Sequence, residues 1–122
     1  MSMQFYNLLH MFGLMMLFSG LAGLWGSRVL GGTSHRRFDV SMALVHGFGM
    51  LFMLVGGFGM LARMGLVQGL PGWVYVKLGI WFLLGGSMVL AKRRATWGLS
   101  LLTLWIALGV LAGYFGIYKP AM

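Results

Sequence analysis

Four apolar runs, each about the length that crosses a bilayer, take up most of this 122-residue chain. They lie at Phe5–Gly26, Val40–Ala62, Trp73–Ala91 and Trp97–Tyr118. A helix needs ~20 apolar residues to cross hydrocarbon, where each backbone N–H and C=O must find its partner inside the segment. Only 8% of the residues are charged, against roughly 25% in soluble domains, so no polar shell is available to cover these runs. The sequence predicts a single all-α integral membrane domain, a four-transmembrane-helix bundle spanning residues 1–122. The breaks at Gly31-Gly32-Thr33-Ser34, Gly69-Leu70-Pro71-Gly72 and Lys92-Arg93-Arg94 consist of turn residues or charges. No internal repeat and no separate soluble module is read from the chain. The first run lacks the basic flank and cleavage site of a signal peptide and is expected to stay as a helix.

Charge gives the expected orientation. Six of the nine Lys and Arg residues lie in the first and third connections: Arg28, Arg36 and Arg37, then Lys92, Arg93 and Arg94. The second connection has only Arg63 and the tail only Lys119. The positive-inside bias puts the first and third connections in the cytoplasm and both termini on the non-cytoplasmic side, as in a bacterial inner membrane. The formal charge of +8 is therefore read as topology and contact with anionic lipid, not nucleic-acid binding. Tyr6, Trp25, Trp73, Tyr75, Trp97, Tyr114 and Tyr118 fall near span ends, where aromatic rings favour the interface.

Several chemistries are excluded. There is no cysteine, which removes disulfides, thiolate metal sites and thiol catalysis. No phosphate-binding loop, dinucleotide fingerprint or zinc-protease motif occurs. Asp39 is the only carboxylate side chain, which removes hydrolysis by a carboxylate base. Met11/Met15, Met50/Met53 and Met60/Met64 stand at helical spacing and are read as flexible gap-fillers rather than copper ligands. Small residues four apart at Ser19/Gly23, Ala22/Gly26, Ala43/Gly47, Gly109/Gly113 and Ala112/Gly116 predict close helix contacts. Those contacts serve the bundle itself, a homo-oligomer or docking into a larger membrane complex.

Lys77 lies inside the third run with no acid beside it. A charge in hydrocarbon costs at least ~2.5–3.5 kcal/mol. Snorkelling, loss of the proton or an anion from outside the chain must offset that. His10 is about five residues into the first run and Lys77 about four into the third, both counted from the same end. At a rise of ~1.5 Å per residue both sit roughly 6–8 Å deep in one leaflet. Trp73 and Trp81 flank Lys77 one turn away on its own face and can hold the ammonium by cation–π contact. Tyr6 and Asn7 share the face of His10 and can fix its ring. Gly13 and Gly79, a turn or less away, are expected to leave room for a flat ligand. His46 falls in the opposite leaflet, so one haem cannot take both histidines; it reads as a packing histidine, with a second site near the cytoplasmic face as the alternative. His35, in a basic connection, reads as solvated.

These residues carry a family resemblance. Phe5-Tyr6-Asn7-Leu8-Leu9-His10-Met11-Phe12-Gly13, continuing to Phe18-Ser19-Gly20-Leu21-Ala22-Gly23-Leu24, is similar to the first helix of the HemJ family. These are small membrane proteins implicated in oxidising protoporphyrinogen IX to protoporphyrin IX. Arg28 with Arg36-Arg37, the stretch Gly72-Trp73-Val74-Tyr75-Val76-Lys77-Leu78 and the ending Tyr118-Lys119-Pro120 resemble the same pattern. The chain departs from it at Val45-His46-Gly47, where a proline-containing segment is expected, and at Gly85-Gly86-Ser87, where a histidine is often found. The resemblance implies that His10 and Lys77 are the functional pair and haem b the cofactor. It makes His10 the metal ligand or proton acceptor and Lys77 the partner of a propionate, with Tyr6, Trp73 and Trp81 around them. The alternative is a non-catalytic accessory subunit of a larger membrane complex, in which Lys77 meets a lipid phosphate or a partner's carboxylate. A transporter for a small anion is the weaker third, for want of a broken helix pair or an inverted repeat.

Overall fold

The computed structural model describes residues 2–31 and 36–119. It holds four helices: α1 (Met3–Leu30), α2 (Arg36–Arg63), α3 (Gly72–Arg93) and α4 (Leu99–Tyr118), with a 3₁₀ turn at Ala95–Trp97 before α4. All four are long and apolar enough to cross a membrane. Residues 32–34 of the first expected break, His35, which the sequence expects to be solvated, and Pro120 of the Lys-Pro ending lie outside the described residues.

α1 and α2 run beyond the apolar stretches. Each has 28 residues, or ~42 Å at helical rise, against ~30 Å of hydrocarbon. The extra turns carry Arg28, Arg36 and Arg37, which the sequence placed in a loop. One carboxylate ties these turns together. Asp39 Oδ2 pairs with Arg28 Nη2 at 3.2 Å, and its Oδ1 accepts from the Ser27 hydroxyl at 3.1 Å. At the other end of α1, the Ser2 hydroxyl accepts from the Phe5 N–H at 3.1 Å and caps the first turn. α4 begins two residues later than expected because Gly98 takes φ +63, a left-handed turn that breaks the chain between the 3₁₀ turn and the helix.

α1 and α2 form an antiparallel hairpin in backbone contact. A Cβ added to Gly13 would lie 2.6 Å from the Gly49 carbonyl oxygen and 2.6 Å from the Met53 nitrogen. One added to Gly56 would lie 2.7 Å from the His10 nitrogen, and one on Gly20 would lie 2.6 Å from the His46 nitrogen. No side chain fits between the helices at these points. Two histidines then bond across the seam reciprocally. His10 on α1 donates from Nδ1 to the Met53 carbonyl at 2.9 Å, and His46 on α2 donates from Nδ1 to the Leu17 carbonyl at 3.0 Å.

The seam exposes a repeat that the sequence reading lacked. His10, Gly13, Gly20 and Gly23 recur as His46, Gly49, Gly56 and Gly59, each 36 residues on. Because the helices are antiparallel, the copies are inverted. The expectation of no internal repeat is thereby corrected. Spacing by seven, not four, organises the contact. The expected four-apart glycines matter less: Cβ atoms on Gly26, Gly47 or Gly113 would meet nothing within 4 Å, while Gly109 is covered by Phe18 at 3.1 Å.

α3 and α4 lie against this hairpin. At the arginine-rich end the bundle is closed by Leu17, Leu21 and Leu24 of α1 with Leu84 and Ala91 of α3 and Leu101 and Trp105 of α4. At the end holding both termini, a smaller cluster joins Leu61, Trp73 and Val74, with Phe58 and Phe115 against it. Trp73 is therefore a core residue, not the interface anchor expected of it. Tyr75, Trp97, Tyr114 and Tyr118 are exposed.

Candidate functional site

Near the end holding the termini the four helices part around a cavity of about 720 Å³. That volume lies within the roughly 300–1,000 Å³ typical of small-molecule sites. His10, Trp73, Lys77 and Trp81 all line it. Two residues from independently placed spans thus reach one space.

His10 is fixed by α2. Its Nδ1–H donates to the Met53 carbonyl, which as a backbone acceptor has a second lone pair beyond its helical bond. That donation assigns the ring proton to Nδ1 and leaves the Nε2 lone pair uncommitted. The ring lies over Gly57, where a Cβ would stand 3.5 Å from Nδ1 and 3.6 Å from Cε1. The bond expected from Tyr6 or Asn7 is supplied by Met53 instead. Asn7 lines the cavity, whereas Tyr6 packs its ring against Gly59 of α2, outside the cavity wall.

Lys77 crosses the cavity to α4. A Cβ on Gly116 would lie 2.6 Å from Nζ and 3.7 Å from Cε, so the ammonium occupies the space a side chain would take. This is the carboxyl-terminal turn of α4, whose unpaired carbonyls carry the negative end of the helix dipole. The expected cation–π partners of Lys77 turn out differently. Trp73 sits under Lys119, whose Nζ is 5.7 Å from the ring centroid. Trp81 donates its indole N–H to the Met50 carbonyl at 3.1 Å, which locks its ring against the cavity.

The space also comes from residues other than those expected. Gly13 is filled by the backbone of α2, and Gly79 meets nothing within 4 Å and is absent from the cavity wall. Room is made instead by Gly57, Gly113 and Gly116. Lys119 and this glycine face of α4 are the part the sequence reading missed. The signal was present in the spacing of Gly109, Gly113, Gly116 and Lys119, on a single helix face.

His46 stays apart. It is 4% exposed, its Nδ1 is bonded to Leu17, and its Nε2 is buried without a partner. It takes no part in the cavity.

Among the described residues no three of His, Cys, Asp and Glu come together. The chain matches no protein-family model, no curated protein and no solved structure.

Proposed function

We propose that this is a HemJ-like membrane protein that binds haem b or a related porphyrin in the cavity and does redox chemistry there, with protoporphyrinogen IX oxidation as the reaction the resemblance favours. One observation carries the reading: His10 and Lys77, the two residues of the resemblance, line the same cavity. His10 offers an uncommitted Nε2 toward a metal or an exchangeable proton, with its ring oriented by the Met53 carbonyl. Such an oriented imidazole is how proteins hold a metal-ligating histidine in one tautomer. Lys77 offers a charge-assisted bond to a propionate, which replaces part of its lost hydration. Trp81 and the glycines of α2 and α4 supply a ring face and open wall for a flat body. A bound haem would supply the one-electron iron couple, and the protein would supply orientation and charge. Electrons from a porphyrinogen would pass on to quinone, oxygen or a partner protein.

The same reading places the four helices across a bacterial inner membrane. The arginine-rich end faces the cytoplasm and the cavity lies in the outer leaflet.

The test is spectroscopic and genetic. The purified protein should show a haem Soret band. Lys77→Met should insert normally, since removing a membrane charge favours insertion, yet should weaken cofactor retention and rescue of cells lacking protoporphyrinogen oxidase. A colourless protein that copurifies with large subunits, with full rescue by both His10→Ala and Lys77→Met, would leave the accessory-subunit reading in its place.

A further inference from the structure

The reading above uses Lys77 alone as the counter-charge for an acidic ligand, but a second ammonium stands beside it. Lys77 reaches Gly116 from α3, its Nζ 2.6 Å from where a Cβ would be. Lys119 folds back from the end of α4 and donates to the Gly116 carbonyl at 2.7 Å. Two cations from different helices thus converge on one glycine, and both line the cavity.

The arrangement of Lys119 is specific. Its backbone adopts φ 47 and ψ 62, a left-handed conformation uncommon outside glycine. That turn brings its side chain back over the helix end, where the Trp73 ring lies 5.7 Å from Nζ. The backbone, the Gly116 carbonyl and the indole therefore all direct this ammonium towards Lys77.

Two like charges repel unless something negative comes between them. The end of α4 provides only about half a negative charge, less than the pair requires. The one carboxylate side chain, Asp39, is paired with Arg28 at the opposite end of the bundle. Hence, among the described residues, no group at this end of the cavity fully compensates the two ammonium charges. Behind it the wall is largely apolar, with Leu14, Leu54, Leu78 and Leu84 among its members.

The geometry points to a two-ammonium receptor, Lys77 with Lys119, that takes the doubly negative end of a ligand whose body is large and apolar. Two carboxylates or one phosphomonoester have the required charge. The inference deepens the proposed function and rests on it for the ligand's body: in a tetrapyrrole, each lysine takes one propionate. Gly116 is a positioning residue, because any side chain there would occupy the place of the Lys77 ammonium.

The test uses the full-length protein in detergent and reads quenching of tryptophan fluorescence, since Trp73 and Trp81 line the cavity. The probes are protoporphyrin IX, its monomethyl ester and its dimethyl ester. They share one macrocycle and differ in charge. Affinity should fall about tenfold or more with each ester, the worth of one hydrogen bond to a charged group. Lys77→Gln and Lys119→Gln should each make the free acid bind like the monoester while leaving diester affinity unchanged, which also shows that the variants are folded. Gly116→Val should reproduce Lys77→Gln without altering any charge. Equal binding of free acid and diester by the parent, or a silent Lys119→Gln, overturns the receptor but leaves the macrocycle in place. If no macrocycle binds, the tetrapyrrole reading fails and a lipid source is tested directly. Phosphatidylcholine vesicles carrying phosphatidate or phosphatidylglycerol are then compared by lipid retention in native mass spectrometry. Preferential retention of phosphatidate, lost in both lysine variants, supports the receptor; equal retention overturns it.

Discussion

His10 on α1 and Met53 on α2 are joined by a 2.9 Å hydrogen bond from the ring Nδ1 to the backbone carbonyl. That bond does two things at once. It ties the hairpin at the depth of the cavity, and it leaves the other ring nitrogen, Nε2, as the free one.

On the proposed function, His10→Ala should lose most bound haem, and with the seam bond a modest amount of stability, about 1–2 kcal/mol. His10→Gln restores a donor for the Met53 carbonyl without an imidazole. It should recover part of the melting temperature and none of the Soret band. Detergent melts and pyridine haemochrome content, read together, check both halves.

His46→Ala should show the converse. The ring is buried and bonded to Leu17, so its removal should destabilise the bundle by about 1–3 kcal/mol. Haem content per folded protein should match the parent. Loss of haem without loss of stability would place His46 in the site.

The glycines of the bundle divide into two groups. Gly49→Ala puts a methyl 2.6 Å from the Gly13 carbonyl oxygen and should cost about 1–3 kcal/mol by overpacking. Gly113→Leu enters open space and should melt within about 0.5 kcal/mol of the parent. It should nonetheless abolish ligand binding, because the leucine fills the cavity. Thermal melts and porphyrin titrations of the two variants separate packing from blockage.

Orientation is checked by labelling single cysteines at residues 2 and 122, a clean experiment in a chain with no cysteine of its own. Both should react with a membrane-impermeant reagent from outside the cytoplasm. Cytoplasmic labelling of both would reverse the orientation, and cytoplasmic labelling of one alone would defeat the four-span arrangement.

The four helices were legible because each apolar run meets the length and composition of a span with little ambiguity. The depth match of His10 and Lys77 was legible for the same reason: counting residues from a span end fixes height to within a turn. Helix ends were less so. Arg28, Arg36 and Arg37 look like loop residues by charge, yet arginine is a good helix former, and a helix can project past the hydrocarbon. Side-chain direction was the larger loss. Trp73 was placed beside Lys77 by spacing on α3 alone, but Lys119 arrives from α4 and takes its ring. Packing glycines were sought four apart within one helix, whereas the seam uses positions seven apart shared between two.

The histidine–glycine pattern of α1 recurs in α2 in the reverse sense, and each histidine bonds a carbonyl of the other helix. Such a pattern is self-complementary: two copies of one helix laid head to tail would make both bonds together, as the halves of an isologous dimer do. The hairpin has the contact logic of that dimer fused into one chain. Asymmetry between the two ends of the bundle then has to come from α3 and α4. Lys77 and Lys119 supply it, giving one of two matched imidazole positions an opening and a charge and leaving the other closed.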